Sequence, residues 1–411
     1  MGQPSGPGRK HFFHALSDQG AISAGNFLTI ALGAHFLTLE EQGKLVYTFG
    51  IYYGLVIFNV AAFFSSALLV RGERDRWACY QRLLLKWQAG ISLVSAVLVT
   101  AILAATGQYL DWQVSWIESL SLGIFYVVQQ LADFYRRSGY IFDHIAESAI
   151  SSQIVFWFRV LTIVLIHPTT LVGFLGVLIF TASLGVFAIM IHAWRIRGLR
   201  CDHQNNQLLT ESHIFLSKWN VFNAPLTWGG LHLPILIVGA VSGKEAAAIV
   251  GSIRGITTFL NVLLELLETY IPLWLASKIS REGYLSRNPT IRLLIIGLVI
   301  WLLGFAFLLA AGERIVLFLL GERYLAYSPV LFVIWLANGF YFIGRVISLH
   351  FRMTRDTLAQ AIGSAGGMLA LLFSLPLIQQ NGVWGGAWSF AIVQTGVILT
   401  LVLYWAVKSR R

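Results

Sequence analysis

The chain has 411 residues, 57% of them hydrophobic and 12% charged, and its mean hydropathy is +0.71. These values exclude a soluble globular domain. Continuous apolar runs of about 20 residues exclude an outer-membrane barrel, whose strands would alternate. The net charge of +10 does not imply nucleic acid, because the basic residues are not gathered with aromatics into a strip; their placement suits membrane loops.

In chain order the sequence predicts an all-α polytopic membrane protein of about twelve spans. They run roughly over 16–37, 45–68, 84–106, 115–135, 146–167, 169–193, 216–241, 246–277, 290–311, 326–351, 357–379 and 383–407. No cleavable signal peptide is expected, and the first span serves as signal anchor. Arg71, Arg74, Arg76, Arg82, Arg136, Arg137, Arg195, Arg197, Arg200, Lys278, Arg281, Arg287, Arg352 and Arg355 fall on one side, with both termini. The other side carries only Lys44, Lys244, Arg314 and Arg323. The basic side is expected to be cytoplasmic, with the protein integral to the cell (inner) membrane. Cys79 and Cys201 then lie in cytoplasmic loops, so no disulfide is expected, and Cys201 with His203 offers too few ligands for a metal.

The first span presents Gln19, Ser23 and Asn26 on one face. Asp18 and Asp133, near cytoplasmic ends, are expected to pair with loop arginines such as Arg136. In the fifth span Arg159 is a candidate phosphate contact; the alternative is a cation that snorkels or stacks on Trp157 and Phe158. Gly173 and Gly176 in the sixth span, and Gly363, Gly366 and Gly367 in the eleventh, are read as close helix contacts. A polar loop, Trp194 to Phe215, divides the chain into residues 1–193 and 216–411, with 194–215 as a cytoplasmic linker. Leu28-Thr-Ile-Ala-Leu-Gly33 is echoed by Pro234-Ile-Leu-Ile-Val-Gly239, an offset of about 206 residues. This predicts two six-helix bundles related by a parallel pseudo-two-fold axis along the membrane normal, with substrate between them.

The seventh span sets Asn220, Asn223, Thr227 and Gly230 in one stripe, interrupted by Pro225 and Pro234. The stripe suits either sugar hydroxyls or helix–helix hydrogen bonds. The eighth carries Arg254, Asn261, Glu265 and Glu268 at i, i+7, i+11 and i+14, a stripe about 60° wide. An ionisable group at the bilayer centre costs at least about 2.5 kcal/mol, so this stripe must face protein or water. Arg254 suits phosphate, or a partner on another helix; Glu265 lies about 16 Å along the same helix, out of reach. Glu265 and Glu268 suit proton or sodium coupling, or solvation of a helix end. Asn59 is the repeat counterpart of that region. Arg345, in the tenth span, is a candidate head-group contact or a loop-end residue. His35, His192 and His232 are read as packing or interface residues. Trp112, Trp116, Trp194 and Trp405 are read as interfacial belts.

Four stretches carry a family likeness. Leu37-Thr-Leu-Glu-Glu-Gln-Gly-Lys-Leu-Val-Tyr47 resembles the turn after the first helix of polysaccharide flippases. Val238-Gly-Ala-Val-Ser-Gly-Lys-Glu-Ala-Ala-Ala248 resembles the start of their second half. Gly312 to Tyr324 with Ser328-Pro-Val-Leu331, and Gly382-Val-Trp-Gly-Gly-Ala-Trp388, resemble their external segment before span ten and the turn into their last helix. Ala246-Ala247 departs from the family pattern at its position. The resemblance is to the lipid-linked oligosaccharide (Wzx-type, O-antigen) flippases of the multidrug/oligosaccharidyl-lipid/polysaccharide exporter superfamily. It implies a transporter that moves a polyprenyl-diphosphate-linked glycan from the cytoplasmic to the outer leaflet by alternating access. Its partners would be membrane lipid, a coupling proton or sodium ion and other polysaccharide-assembly proteins; no cofactor is expected. The rival readings are a cation-coupled multidrug exporter of the same superfamily and a membrane glycan polymerase or ligase. The short external loops argue against the last, so no enzyme is expected.

Overall fold

The computed structural model describes residues 9–64, 67, 77–109, 112, 114–142, 144–196, 203–257, 271, 288–354 and 356–408. The described residues are helical almost throughout. The elements are α1 (Arg9–Phe36), α2 (Leu39–Asn59), α3 (Trp77–Tyr109), α4 (Trp116–Phe142), α5 (Ile145–Ile166) and α6 (Leu171–Ile196). They continue with α7 (His203–Ser242), α8 (Lys244–Thr257), α9 (Asn288–Leu320), α10 (Val330–Met353) and α11 (Thr357–Lys408). A π-helical turn, Val60–Phe64, extends α2, and a 3-10 turn, Glu322–Tyr327, precedes α10. Among the described residues, seven helices are long and apolar enough to cross a membrane on length and composition.

Local chemistry sets the helix ends. Thr38 caps α2 by accepting from the Glu41 N–H at 3.2 Å, with Glu40 and Glu41 in the first turn, where the helix dipole favours acids. Before α4, the Ser115 hydroxyl accepts from the Glu118 N–H while the Glu118 carboxylate accepts from the Ser115 N–H. That reciprocal pair satisfies two donors that the helix itself leaves open. The Glu41 carboxylate also takes the Leu171 N–H at 2.8 Å, tying the start of α6 to α2.

The last helix is a hairpin, so its two arms bring the α-helical segments among the described residues to twelve. It reverses at Gly382, whose φ of 49° and ψ of −113° suit a residue without Cβ. The arms touch through glycine: Gly363 faces Leu401, Gly366 faces Thr400, Gly367 faces Val397 and Gly396 faces Ala370. This bears out the small-residue contacts read for the eleventh span. Gly173 and Gly176 do not follow: among the described residues no neighbouring helix approaches either position. Within the polar connection at 194–215, residues 194–196 belong to α6 and 203–215 to α7. A polar segment can extend a helix where no bilayer requires an apolar face.

Helix packing repeats between the halves. α1 lies against α5, through Gly25 and Phe156, as α7 lies against the first arm of α11, through Gly229 and Met368. α6 meets α4 at Gly185 and Ala132, as the second arm of α11 meets α10 at Val397 and Gly344. The contacts between halves repeat too. Gly50 of α2 meets Leu236 of α7, and Gly255 of α8 meets Ile30 of α1. Moving the first pair by the offset of about 206 gives positions 256 and 30, one residue from the second pair. Val46 against Gly251 maps almost onto itself and marks the pseudo-two-fold axis.

Candidate functional site: a cavity between two halves

At the end of the molecule holding the α1–α2 and α7–α8 turns, the halves are sealed. Gln42 donates to the Ser252 hydroxyl at 2.9 Å, and Lys244 pairs with Glu40 at 3.0 Å. Arg323, in the 3-10 turn, donates to the carbonyls of Ala34 and Leu37 and so caps the C-terminus of α1 from the opposite half. The His35 ring bonds the Phe318 carbonyl at 3.1 Å. Beyond this seal a cavity of about 370 Å³ opens between the halves and extends to Arg136, Arg137 and Arg352 near the other end.

Arg254 enters the cavity from α8. Its guanidinium donates to the Leu231 carbonyl at 2.7 Å and lies 4.6 Å from the centre of the buried Phe390 ring. Pro234 has no N–H, so the Gly230 carbonyl, one residue before Leu231, lacks its usual helical donor. Arg159 enters from α5 in the other half, 8% exposed. It donates to the Gln129 amide oxygen at 3.0 Å, and its Nε is buried with no partner among the described residues. Its neighbours Trp157 and Phe158 are 63% and 48% exposed. They point outward, so Arg159 faces the cavity rather than stacking on them. Neither Arg159 nor Arg254 has a carboxylate partner among the described residues.

The cavity's described acid, Asp133, is already engaged. Arg136 holds it at 2.6 Å and Arg137 at 2.6 Å. Arg136 also bonds Asp18 at 2.9 Å, which takes Tyr140 at 2.6 Å and Ser152 at 2.5 Å as well. The pairing read for Asp18 and Asp133 is therefore observed, and it locks α1, α4 and α5 together.

Arg345, Asn220, Asn223, Thr227 and Asn26 all line the cavity. Arg345 lies 5.6 Å from the Tyr341 ring centre. Asn261, Glu265, Glu268 and Cys201 lie outside the described residues. Asn59 is fully buried and donates to Gln130 at 2.9 Å. His232 is an interface residue, as read, and also lines the cavity: its ring stacks on Tyr53 of the other half at 5.3 Å. The sequence reading missed Tyr53, Gln129 and Phe390; the offset of about 206, which carries Asn26 onto position 232, was the available signal for His232. Trp112 is a correction. It is 5% exposed and packs on Tyr47 at 4.4 Å, inside the protein rather than in an interfacial belt. Trp116 is 65% exposed, as an interfacial residue would be.

No family model and no curated protein sequence matches this chain. Its backbone does match solved structures over nearly its whole length. One is the inward-facing conformation of a multidrug resistance MATE family transporter of the MOP superfamily: TM-score 0.63, 9% identity, covering 94% of this chain and 93% of that one. The fold is that of MOP-superfamily transporters. A mutant of the Vibrio cholerae MATE transporter VcmN matches with a TM-score of 0.56 and 11% identity, over 97% of this chain and 96% of that one. A MOP superfamily transporter from Pyrococcus furiosus matches at 0.58 and 9%, over 97% and 95%. The MOP fold confirms the expected architecture of twelve helices in two lobes. At these identities it establishes the fold alone.

Proposed function

We propose that the chain is an alternating-access transporter for an anionic amphiphile, a polyprenyl-diphosphate-linked glycan moved from the cytoplasmic to the outer leaflet. The observation that supports this most directly is the pair Arg159 and Arg254. They stand in opposite halves of one cavity, and their described partners are an amide, a carbonyl and a ring. A guanidinium held by neutral groups keeps its charge available to a phosphate, which it can bind in a fork. With the Lys/Arg-rich end cytoplasmic, the sealed end faces outward and the cavity is loaded from inside. Opening outward would break the Gln42–Ser252, Lys244–Glu40 and Arg323 contacts and close the opposite end. The lipid tail would remain in the bilayer throughout. Glu265 and Glu268 remain the candidates for proton or sodium coupling.

A second reading, a cation-coupled multidrug exporter, is favoured by the multidrug resistance MATE transporter whose fold this chain shares. The Pyrococcus furiosus MOP structure is described as having a binding pocket of reverse polarity that suggests a different function, so pocket polarity differs among structures of this fold. The two readings part on charge, because a cavity presenting arginines repels cationic drugs. Reconstitution into liposomes with labelled polyprenyl-diphosphate oligosaccharide tests the first. Protein-dependent translocation without efflux of cationic dyes supports it; dye efflux without glycan movement replaces it with the second.

A further inference from the structure

A small side chamber of about 40 Å³ opens off the C-terminal half of the main cavity. It lies among α7, α10 and α11. Asn223, Thr227, Leu231, Tyr341, Arg345 and Gln360 line both spaces, whereas Ser364 and Gln394 line the chamber alone. It has about a tenth of the main cavity's volume, so it takes a small part of a cargo rather than the whole.

The chemistry of its wall selects the group. No carboxylate lines it among the described residues, and Arg345 does, so a metal cation is disfavoured. The Asn223 Oδ1 is buried with no partner among the described residues and requires a donor, which a phosphate oxygen or halide does not supply. Thr227 and Ser364 lie 3.2 Å apart, two hydroxyls able to donate or accept. Gln394 is 5% exposed and makes no side-chain hydrogen bond among the described residues. A group that both donates and accepts, a hydroxyl or hydroxymethyl, meets all of these. Position adds to the argument: the Leu231 carbonyl that holds Arg254 belongs to a residue in the chamber wall. Through Leu231 the chamber adjoins the arginine proposed for the cargo's phosphate.

We infer that this chamber receives one uncharged hydroxylated substituent of the first sugar attached to the cargo's diphosphate. The inference rests on the anionic-cargo reading above. The test uses the full-length protein in lipid nanodiscs, with binding measured for polyprenyl diphosphate alone and for polyprenyl diphosphate bearing one hexose. Wild-type protein should bind the hexose form about five- to tenfold more tightly, the equivalent of one or two neutral hydrogen bonds. Gln394→Leu and Ser364→Ala should erase that preference while affinity for bare polyprenyl diphosphate stays unchanged, which also verifies that the variants are folded. Equal wild-type affinities, or a preference that survives both substitutions, overturns the chamber. Failure of wild-type protein to bind either ligand overturns the anionic-cargo reading, and the chamber with it.

Discussion

Replacing Arg254 separates the charge of the site from its shape. Methionine has nearly the reach of arginine and none of its charge, and lysine keeps the charge without the planar fork. In the resting structure the guanidinium has one charge-assisted hydrogen bond, to Leu231, and one ring contact, to Phe390. Their gain is roughly 2–5 kcal/mol, set against a desolvation cost of several kcal/mol for a cation in the interior. Arg254→Met should therefore change the melting temperature of the purified protein little. Ligand binding should respond strongly. A guanidinium–phosphate contact is worth about 2–3 kcal/mol, so affinity for polyprenyl diphosphate should fall about 30- to 150-fold in Arg254→Met. Arg254→Lys should fall less, because a point charge still meets the phosphate. Titration in nanodiscs, with a melt on the same samples, measures both quantities. Wild-type affinity in a folded Arg254→Met protein would falsify the assignment of this arginine to cargo.

Other expected outcomes concern the scaffold and the seal. Asp18→Asn leaves Arg136 with one carboxylate instead of two at a fully buried position. It should destabilise by about 3–5 kcal/mol, as when one partner of a buried ion pair is lost; a melting temperature within a degree of wild type would contradict this. Gly366→Leu forces a side chain onto Thr400 in the α11 hairpin. The arms should separate or the yield of folded protein fall, and a normal melting profile would refute that close approach. Arg323→Ala removes the cap that the second half places on α1. A cysteine introduced at the lining position Asn26 should then react faster with a membrane-impermeant thiol reagent applied from outside, and an unchanged rate would argue that Arg323 does not hold the seal. Gln42→Leu deletes a buried hydrogen bond to Ser252 and should shift the same labelling in the same direction by a smaller factor.

Much was legible from the residues alone, for a physical reason. A bilayer enforces runs of about 20 apolar residues and a bias of basic loops, so twelve segments could be counted and the α11 hairpin at Gly382 anticipated. The cost of charge in hydrocarbon singled out Arg159 and Arg254, and an offset of about 206 indicated two similar halves. The pairing of Asp18 with Arg136 followed the same logic. Tertiary structure alone decided which groups meet. Leu231 and Phe390, which hold Arg254, lie about 20 and 140 positions away along the chain. Tyr53 and His232 come from different halves, and the side chamber takes residues from three helices. Hydropathy records how much each residue avoids water, and it states nothing of which helix supplies its neighbour. Trp112 shows the difference: the same aromatic preference fits a membrane interface or a packed core, and only the approach of Tyr47 placed it in the second.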